Sequence, residues 1–187
     1  MRNAGVHQGL QDDGCVKGQD NADPVLAHVY HYADKINKPM IIAVGCGGGG
    51  NLAPVFERYA QKSGARFMAL DLNDVMSLEL PEELKADVTL SMGVAMSVPF
   101  DQLKNYTKSL LGNTKPGGHI VHLHSAFVPK SLGADDPQFS GGYYRHSSDK
   151  MKRFFRQAGG VVKSLPSISD PTGRYYQFSV LDIEVPK

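Results

Sequence analysis

The chain has 187 residues, enough for one domain with a substantial core and too few for two comfortable ones. Its 41% hydrophobic and 21% charged residues are those of an ordinary globule. With 20 basic against 19 acidic residues the net charge is +1, which gives no electrostatic reason to bind a polyanion and disfavours nucleic acid as a partner. No apolar run approaches the roughly 20 residues that span a bilayer, so no membrane partner is expected.

Residues 1–22 have no apolar stretch of the secretory type and read as a flexible N-terminal arm. Cys15 and Cys46 lack metal-ligand spacing, so no metal is expected. They read as free thiols of a reducing compartment, with the cytoplasm as the default. A single domain is expected over residues 23–187.

Asp23 and Pro24 suit the cap and first turn of a helix carrying Val25, Leu26, Val29, Tyr32, Ala33 and Ile36 at helical spacing. Met40 to Val44 is a short, wholly apolar run, as in a strand buried on both faces of a parallel sheet. A glycine run, Gly45 to Gly50, leads into a helix over Asn51 to Ser63, which Gly64 ends. Arg66 to Leu72 reads as the next strand, completing a βαβ unit. Val88 to Val94 is a further strand and Phe100 to Leu111 a helix. Lys115-Pro116-Gly117-Gly118 reads as a turn before a strand over His119 to Phe127. Gly141 to His146 reads as a flexible aromatic loop, and Ser147 or Ser148 caps a helix from about Asp149 to Ala158. Val161 to Ile168 and Tyr175 to Val185, joined by a turn at Asp170 to Gly173, predict a terminal antiparallel pair.

The glycine run carries the first chemical signal. Between a buried strand and a helix, glycine lets the backbone turn sharply and lets a ligand approach. The helix start beyond it offers free N–H groups and a positive dipole end. About 20 residues on, Asp71 ends the next strand, where a carboxylate can accept hydrogen bonds from both hydroxyls of a ribose. Glycine turn and acid together indicate a nucleoside cofactor. The run from Gly45 to Gly50 also contains G-x-G-x-x-G, so an NAD-dependent oxidoreductase is an alternative on the glycines alone. The terminal antiparallel pair and Lys115-Pro116-Gly117-Gly118 are foreign to the dinucleotide domain.

Five segments in order carry a resemblance. Ile41 to Gly49 resembles motif I of the class I S-adenosylmethionine-dependent methyltransferases. Phe67 to Asp71 is similar to their second strand with its ribose-binding acid, and Ala86 to Ser91 to their fourth-strand motif. Leu110 to Gly118 resembles the segment entering the fifth strand, and Phe154 to Gly160 the helix and turn before the sixth. The resemblance spans about Met40 to Glu184. It implies a Rossmann-like α/β sandwich, with a mostly parallel seven-stranded sheet and an antiparallel last strand. It also implies S-adenosylmethionine as cofactor, with Gly45, Cys46, Gly47, Gly49, Asp71, Leu72, Met92 and Gly93 around it, and methyl transfer to a small molecule or an accessible side chain.

Two departures bear on this. Ala43 stands where the family usually has an acid. Only 15 residues separate Asp71 from Asp87, so the helix after the second strand is expected to be shortened or lost, and the sheet shortened around the third strand, with Met76 to Leu80 poorly formed. A catalytically inactive methyltransferase-like binding or scaffold protein is therefore the second reading.

Methyl transfer from an activated sulfonium needs mainly proximity and orientation, with a general base where the acceptor loses a proton. His122 and His124 share a strand face and His119 points the other way. His124, near the carboxyl end of its strand, is the base candidate. Tyr143, Tyr144 and His146 are substrate-contact candidates. His28, Tyr30, His31 and Tyr32 of the first helix either line the pocket or cover the sheet. Asp87 reads as structural. A small-molecule substrate is the expected partner, and a homodimer is compatible with the sequence.

Overall fold

The computed structural model describes residues 24–45, 53–125, 138–140, 143–169 and 177–187. The arm over 1–22, the turn residues Cys46, Gly47, Gly48, Gly49 and Gly50, the cap Asn51, and the link over 170–173 lie outside the described residues.

The elements in chain order are α1 (Pro24–Ala33), β1 (Met40–Val44), α2 (Ala53–Ser63), β2 (Arg66–Leu70), α3 (Leu72–Ser77), β3 (Ala86–Met92) and α4 (Leu103–Gly112). They continue as β4 (Thr114–Ser125), β5 (Gln138–Ser140), β6 (Tyr143–Arg145), α5 (Ser148–Gln157), β7 (Val161–Ser164), β8 (Ile168–Ser169) and β9 (Gln177–Glu184). The main sheet has the order β2-β1-β3-β4-β9-β7. β2, β1, β3 and β4 are parallel, and β9 runs antiparallel to both of its neighbours. The expected antiparallel last strand is thus inserted between β4 and β7.

Seven strands form the sheet, but the seventh is not the expected third one. It is the two-residue β8, which pairs with the start of β9. Between β2 and β3 the chain makes α3 instead of a strand over Met76 to Leu80. Asp71 and Asp74 form a capping box that starts this helix. Asn113 then clamps the return: its Oδ1 accepts from Leu80 N–H at 2.8 Å and its Nδ2 donates to the Leu78 carbonyl at 2.9 Å. Fifteen residues cannot hold both a helix and a full strand, and the cap favours the helix.

Two other expectations are corrected. Lys115 to Gly118 is a bulge within β4, not a turn before it. Ala86 aligns with Thr114 and Val88 with His119, so the extra residues loop out of the ladder, with Gly117 at φ +78°. Tyr143 to Arg145, read as loop, pairs antiparallel with Gln138 to Ser140.

The sheet is covered on both faces, as a parallel sheet requires. On one face Val25, Leu26 and Val29 of α1 and Val55 and Phe56 of α2 pack on Ile41, Ala43, Val88, Leu90, Val121 and Leu123. On the other, Tyr106, Leu110 and Leu111 of α4 and Met151 and Phe155 of α5 pack on Ile42, Val44, Ile120, Leu181 and Ile183. The alternation along β1 and β4 is the period of two that a strand imposes. Ser147 caps α5 by accepting from Lys150 N–H at 3.3 Å. Asp87 is structural, as read: its Oδ2 accepts from Met40 N–H at 2.7 Å and its Oδ1 pairs with Lys115 Nζ at 2.9 Å. It ties the starts of β1 and β3 to the bulge of β4.

Candidate functional site

Parallel strands bring their carboxyl ends to one edge. Val44 aligns with Leu70 on one side and with Ser91 on the other, and Met92 aligns with Leu123. The residues just beyond these pairs are Gly45, Asp71, Gly93 and His124. Residues far apart in sequence thus form one row, at the place where open α/β sheets bind ligands.

Gly45 opens the row. Its N–H donates to the Leu70 carbonyl at 2.9 Å, which fixes it beside Asp71. Its φ is +80°, and a Cβ there would stand 2.1 Å from Val94 Cγ2. Only glycine fits, on grounds of both conformation and space. Val94 is a part of this corner that sequence reasoning missed. It follows Gly93, which turns the chain at φ +72° and donates its N–H to the Leu123 carbonyl at 2.9 Å. A glycine two residues after a serine at a strand end was the available signal.

Asp71 is exposed and points one oxygen inward along α3, where Oδ1 accepts from Asp74 N–H at 3.0 Å. Leu72 is half-buried against the α3–α4 side of the core, and Met92 packs half-buried on the α1–α2 side. These positions fit a nucleoside group: a glycine corner without side chains, an accessible carboxylate next to it, and apolar flanks. Cys46, Gly47 and Gly49 lie outside the described residues.

His124 lies on the α5 face of β4, buried at 1% exposure. Its Nε2 is 3.4 Å from Ser148 Oγ, and Ser148 in turn bonds Ser179 of β9. Burial, with the charges of His146 and Lys152, pushes its imidazole down to about 3. The ring is therefore neutral at ordinary pH. His122 stacks on it with ring centroids 5.2 Å apart. His122 Nδ1 is 3.0 Å from Ser91 Oγ, which is 2.5 Å from the Tyr106 hydroxyl. Burial holds His122 well below its ordinary value as well.

His146 is buried between β6 and α5 and donates from Nε2 to the Val98 carbonyl at 3.0 Å. Burial lowers its pKa also. Tyr144 stacks on it at 6.2 Å. The β5–β6 pair is thereby tied to the turn after Gly93, at the carboxyl ends of the parallel strands. Of Tyr143 only the backbone is described. Among the described residues no group of three His, Cys, Asp or Glu side chains is arranged to hold a metal ion.

The first helix covers the sheet, with Val25, Leu26 and Val29 packed in one cluster with Val121 and Leu123. Tyr30 packs on Phe56 and Tyr59, and Tyr32 stacks on His119 at 3.7 Å. Tyr32 and His119 both bond Asp182, at 2.6 and 2.9 Å. His119 faces away from His122 and His124, as the strand period requires. His31 is exposed.

No family model and no curated protein matches the chain. Solved structures do. One is 1,6-didemethyltoxoflavin-N1-methyltransferase of Burkholderia thailandensis, with bound 1,6-didemethyltoxoflavin and S-adenosylhomocysteine. It has a TM-score of 0.63 and 16% identity over 97% of this chain and 84% of its own. The fold is that of the class I methyltransferases. A SAM-dependent methyltransferase from Archaeoglobus fulgidus gives 0.58 at 15% identity, over 94% of this chain and 99% of its own. The same fold also carries other chemistry: the [4+2]-cyclase SpnF gives 0.61 at 14% identity, over 90% and 83%. Among the described residues no helix is long and apolar enough to cross a membrane.

Proposed function

We propose that this protein binds S-adenosylmethionine and transfers its methyl group to a small molecule. The observation that carries the reading is the pairing of Gly45 and Asp71. They follow directly after an aligned pair on adjacent parallel strands and are held together by the Gly45 N–H to Leu70 carbonyl bond. A corner lacking side chains and an accessible carboxylate stand side by side, as a ribose with its attached chain requires.

Asp71 would accept from the ribose hydroxyls while retaining its bond to Asp74. Gly45 and the turn residues Cys46, Gly47 and Gly49 would admit the cofactor close to the backbone, with Leu72, Met92 and Gly93 along its flanks. The bound cofactor supplies an activated methyl group, so the protein's task is to align an acceptor and exclude water. The β5–β6 pair bearing Tyr144 and His146 closes over the turn after Gly93 and is the acceptor side of the site, with Tyr143 beside it. His124 would take part as a neutral ring that holds a hydrogen bond, since a base held down to about 3 takes no proton from an acceptor still protonated at neutral pH. The similarity to methyltransferases that act on small molecules supports this reading.

Calorimetric titration with S-adenosylmethionine and S-adenosylhomocysteine tests it, with Asp71→Asn as the variant. Asparagine caps a helix as well as aspartate does, so α3 survives while the charged acceptor is lost. Micromolar binding by the wild type, weakened at least tenfold in Asp71→Asn, is the expected result. A folded protein that binds neither compound refutes it, and would point to a protein that keeps this fold for another purpose.

A further inference from the structure

β2 ends the sheet on the side where the third strand is missing. Its register with β1 assigns its backbone groups. Arg66 N–H donates to the Pro39 carbonyl at 2.8 Å, and the Leu70 carbonyl accepts from Gly45 N–H at 2.9 Å. Arg66, Met68 and Leu70 therefore turn their peptide groups toward β1. Bonding alternates along a parallel strand, so the N–H and C=O groups of Phe67 and Ala69 point out from the sheet. Among the described residues no strand takes them up. The edge also lacks the usual protection against pairing. Its sequence, Arg-Phe-Met-Ala-Leu, has no proline and no lysine, and its ladder to β1 has no bulge. The one charge, Arg66, stands at the first position of the strand and gives one N–H to the Glu83 carbonyl at 3.0 Å.

We propose that this edge pairs with the same edge of a second copy of the chain, antiparallel about a twofold axis, to give one continuous sheet across a homodimer. The hydrogen-bonding groups select the register. With Met68 on the axis, Phe67 faces Ala69 of the partner subunit, and each gives its N–H to the other's carbonyl. The twofold repeats the exchange at Ala69, so every outward group of both strands is satisfied. A shift by one residue sets outward groups against inward ones. A shift by two sets one of them opposite Ala65 or Asp71 of the partner subunit, outside the strand.

Side chains and charge agree with that register. The exposed Ala69 leaves room for Phe67 of the partner subunit, a large residue against a small one. The antiparallel arrangement also sets the Arg66 end of each strand beside Asp71 of the partner subunit, joining opposite charges at both ends. This assembly does not depend on the methyltransferase reading, since it rests on the outward peptide groups of β2, which no cofactor is needed to place.

The test is sedimentation equilibrium of the full chain from micromolar to sub-millimolar concentration, beside Ala69→Pro. The wild type is expected at twice the 20.3 kDa chain mass. Ala69→Pro removes an N–H that does not serve β1, as edge strands tolerate, and should give a monomer with an unchanged far-UV spectrum. A second measurement stands if that variant fails to fold. Met68→Cys, in a Cys15→Ser and Cys46→Ser background, should oxidise to a covalent dimer, because facing residues of a non-hydrogen-bonded pair have Cα atoms about 4.5 Å apart. Phe67→Cys in the same background should not. A wild type that is monomeric throughout overturns the proposal, including one whose Phe67 and Ala69 amides are protected from exchange, which would show the edge covered from within the chain. So does a dimer that a folded Ala69→Pro leaves intact, or equal crosslinking at both cysteine positions.

Discussion

Gly45→Ala is the sharpest probe of the corner on which the site rests. The backbone is at φ +80°, where a side chain costs about 1–2 kcal/mol. The new Cβ would also stand 2.1 Å from Val94 Cγ2, well inside van der Waals contact, and Val94 is held in the core at 6% exposure. Forcing such a contact costs about 1–3 kcal/mol more, giving about 2–5 kcal/mol in all. At about 2–4 °C per kcal/mol for a chain of this size, the melting temperature should fall by roughly 10 °C. A double-mutant cycle separates the two causes. Val94→Ala alone should cost about 1–3 kcal/mol through the buried groups it removes. In the double variant the clash is gone and only the backbone cost remains, so the two losses should fall short of additivity by about 1–3 kcal/mol. Urea unfolding followed by circular dichroism measures all four proteins. The reasoning fails if Gly45→Ala costs under about 1 kcal/mol, or if the two losses add within about 0.5 kcal/mol.

Acid should unfold this protein through its buried histidines. His122, His124 and His146 have pKa values lowered by burial, while the unfolded chain titrates them near the ordinary value of about 6.5. Below that pH the unfolded state binds more protons, so the stability present above pH 6.5 is lost as pH falls toward the lowered folded values, with a slope approaching about 4 kcal/mol per pH unit for three sites. Urea midpoints at pH 7.5, 6.5 and 5.5 read this, and equal midpoints would rule it out. At the opposite edge of the sheet, Asp87→Ala should destabilise more than Lys115→Ala. The first strands the Met40 N–H, at about 1–3 kcal/mol, whereas the second removes a partly exposed partner worth about 1 kcal/mol or less. Thermal unfolding of the two variants orders them, and the reverse order would contradict the role given to Asp87.

What could be read from the residues was local. The apolar run Met40 to Val44, bounded by Pro39 and Gly45, specified a buried parallel strand, because no polar face is left to expose. The glycine after it and the acid ending the following strand belong to one βαβ unit, so their placement side by side at the carboxyl ends of the strands was also local. The short passage from Asp71 to Asp87 signalled that a helix and a strand would not both fit, because chain length bounds what can be built, but it did not say that the helix would stay and the strand be lost. The capping pair Asp71 and Asp74 was equally legible and would have favoured a helix there over a weak strand.

The rest depended on which distant segments meet. A period of two put His122 and His124 on one face, but only the packing of α5 on that face made them buried and neutral. The Gly117-Gly118 pair reads as a turn in isolation; the Ala86 and Val88 alignments in the ladder made it a bulge inside β4. Val94 looks like any strand residue until the chain turns at Gly93 and brings it against Gly45. The insertion of β9 between β4 and β7, and the place of β2 at the far side of the sheet, have no local signal. Strand order is settled by which apolar faces and peptide groups are satisfied together, and that is a property of the assembled sheet.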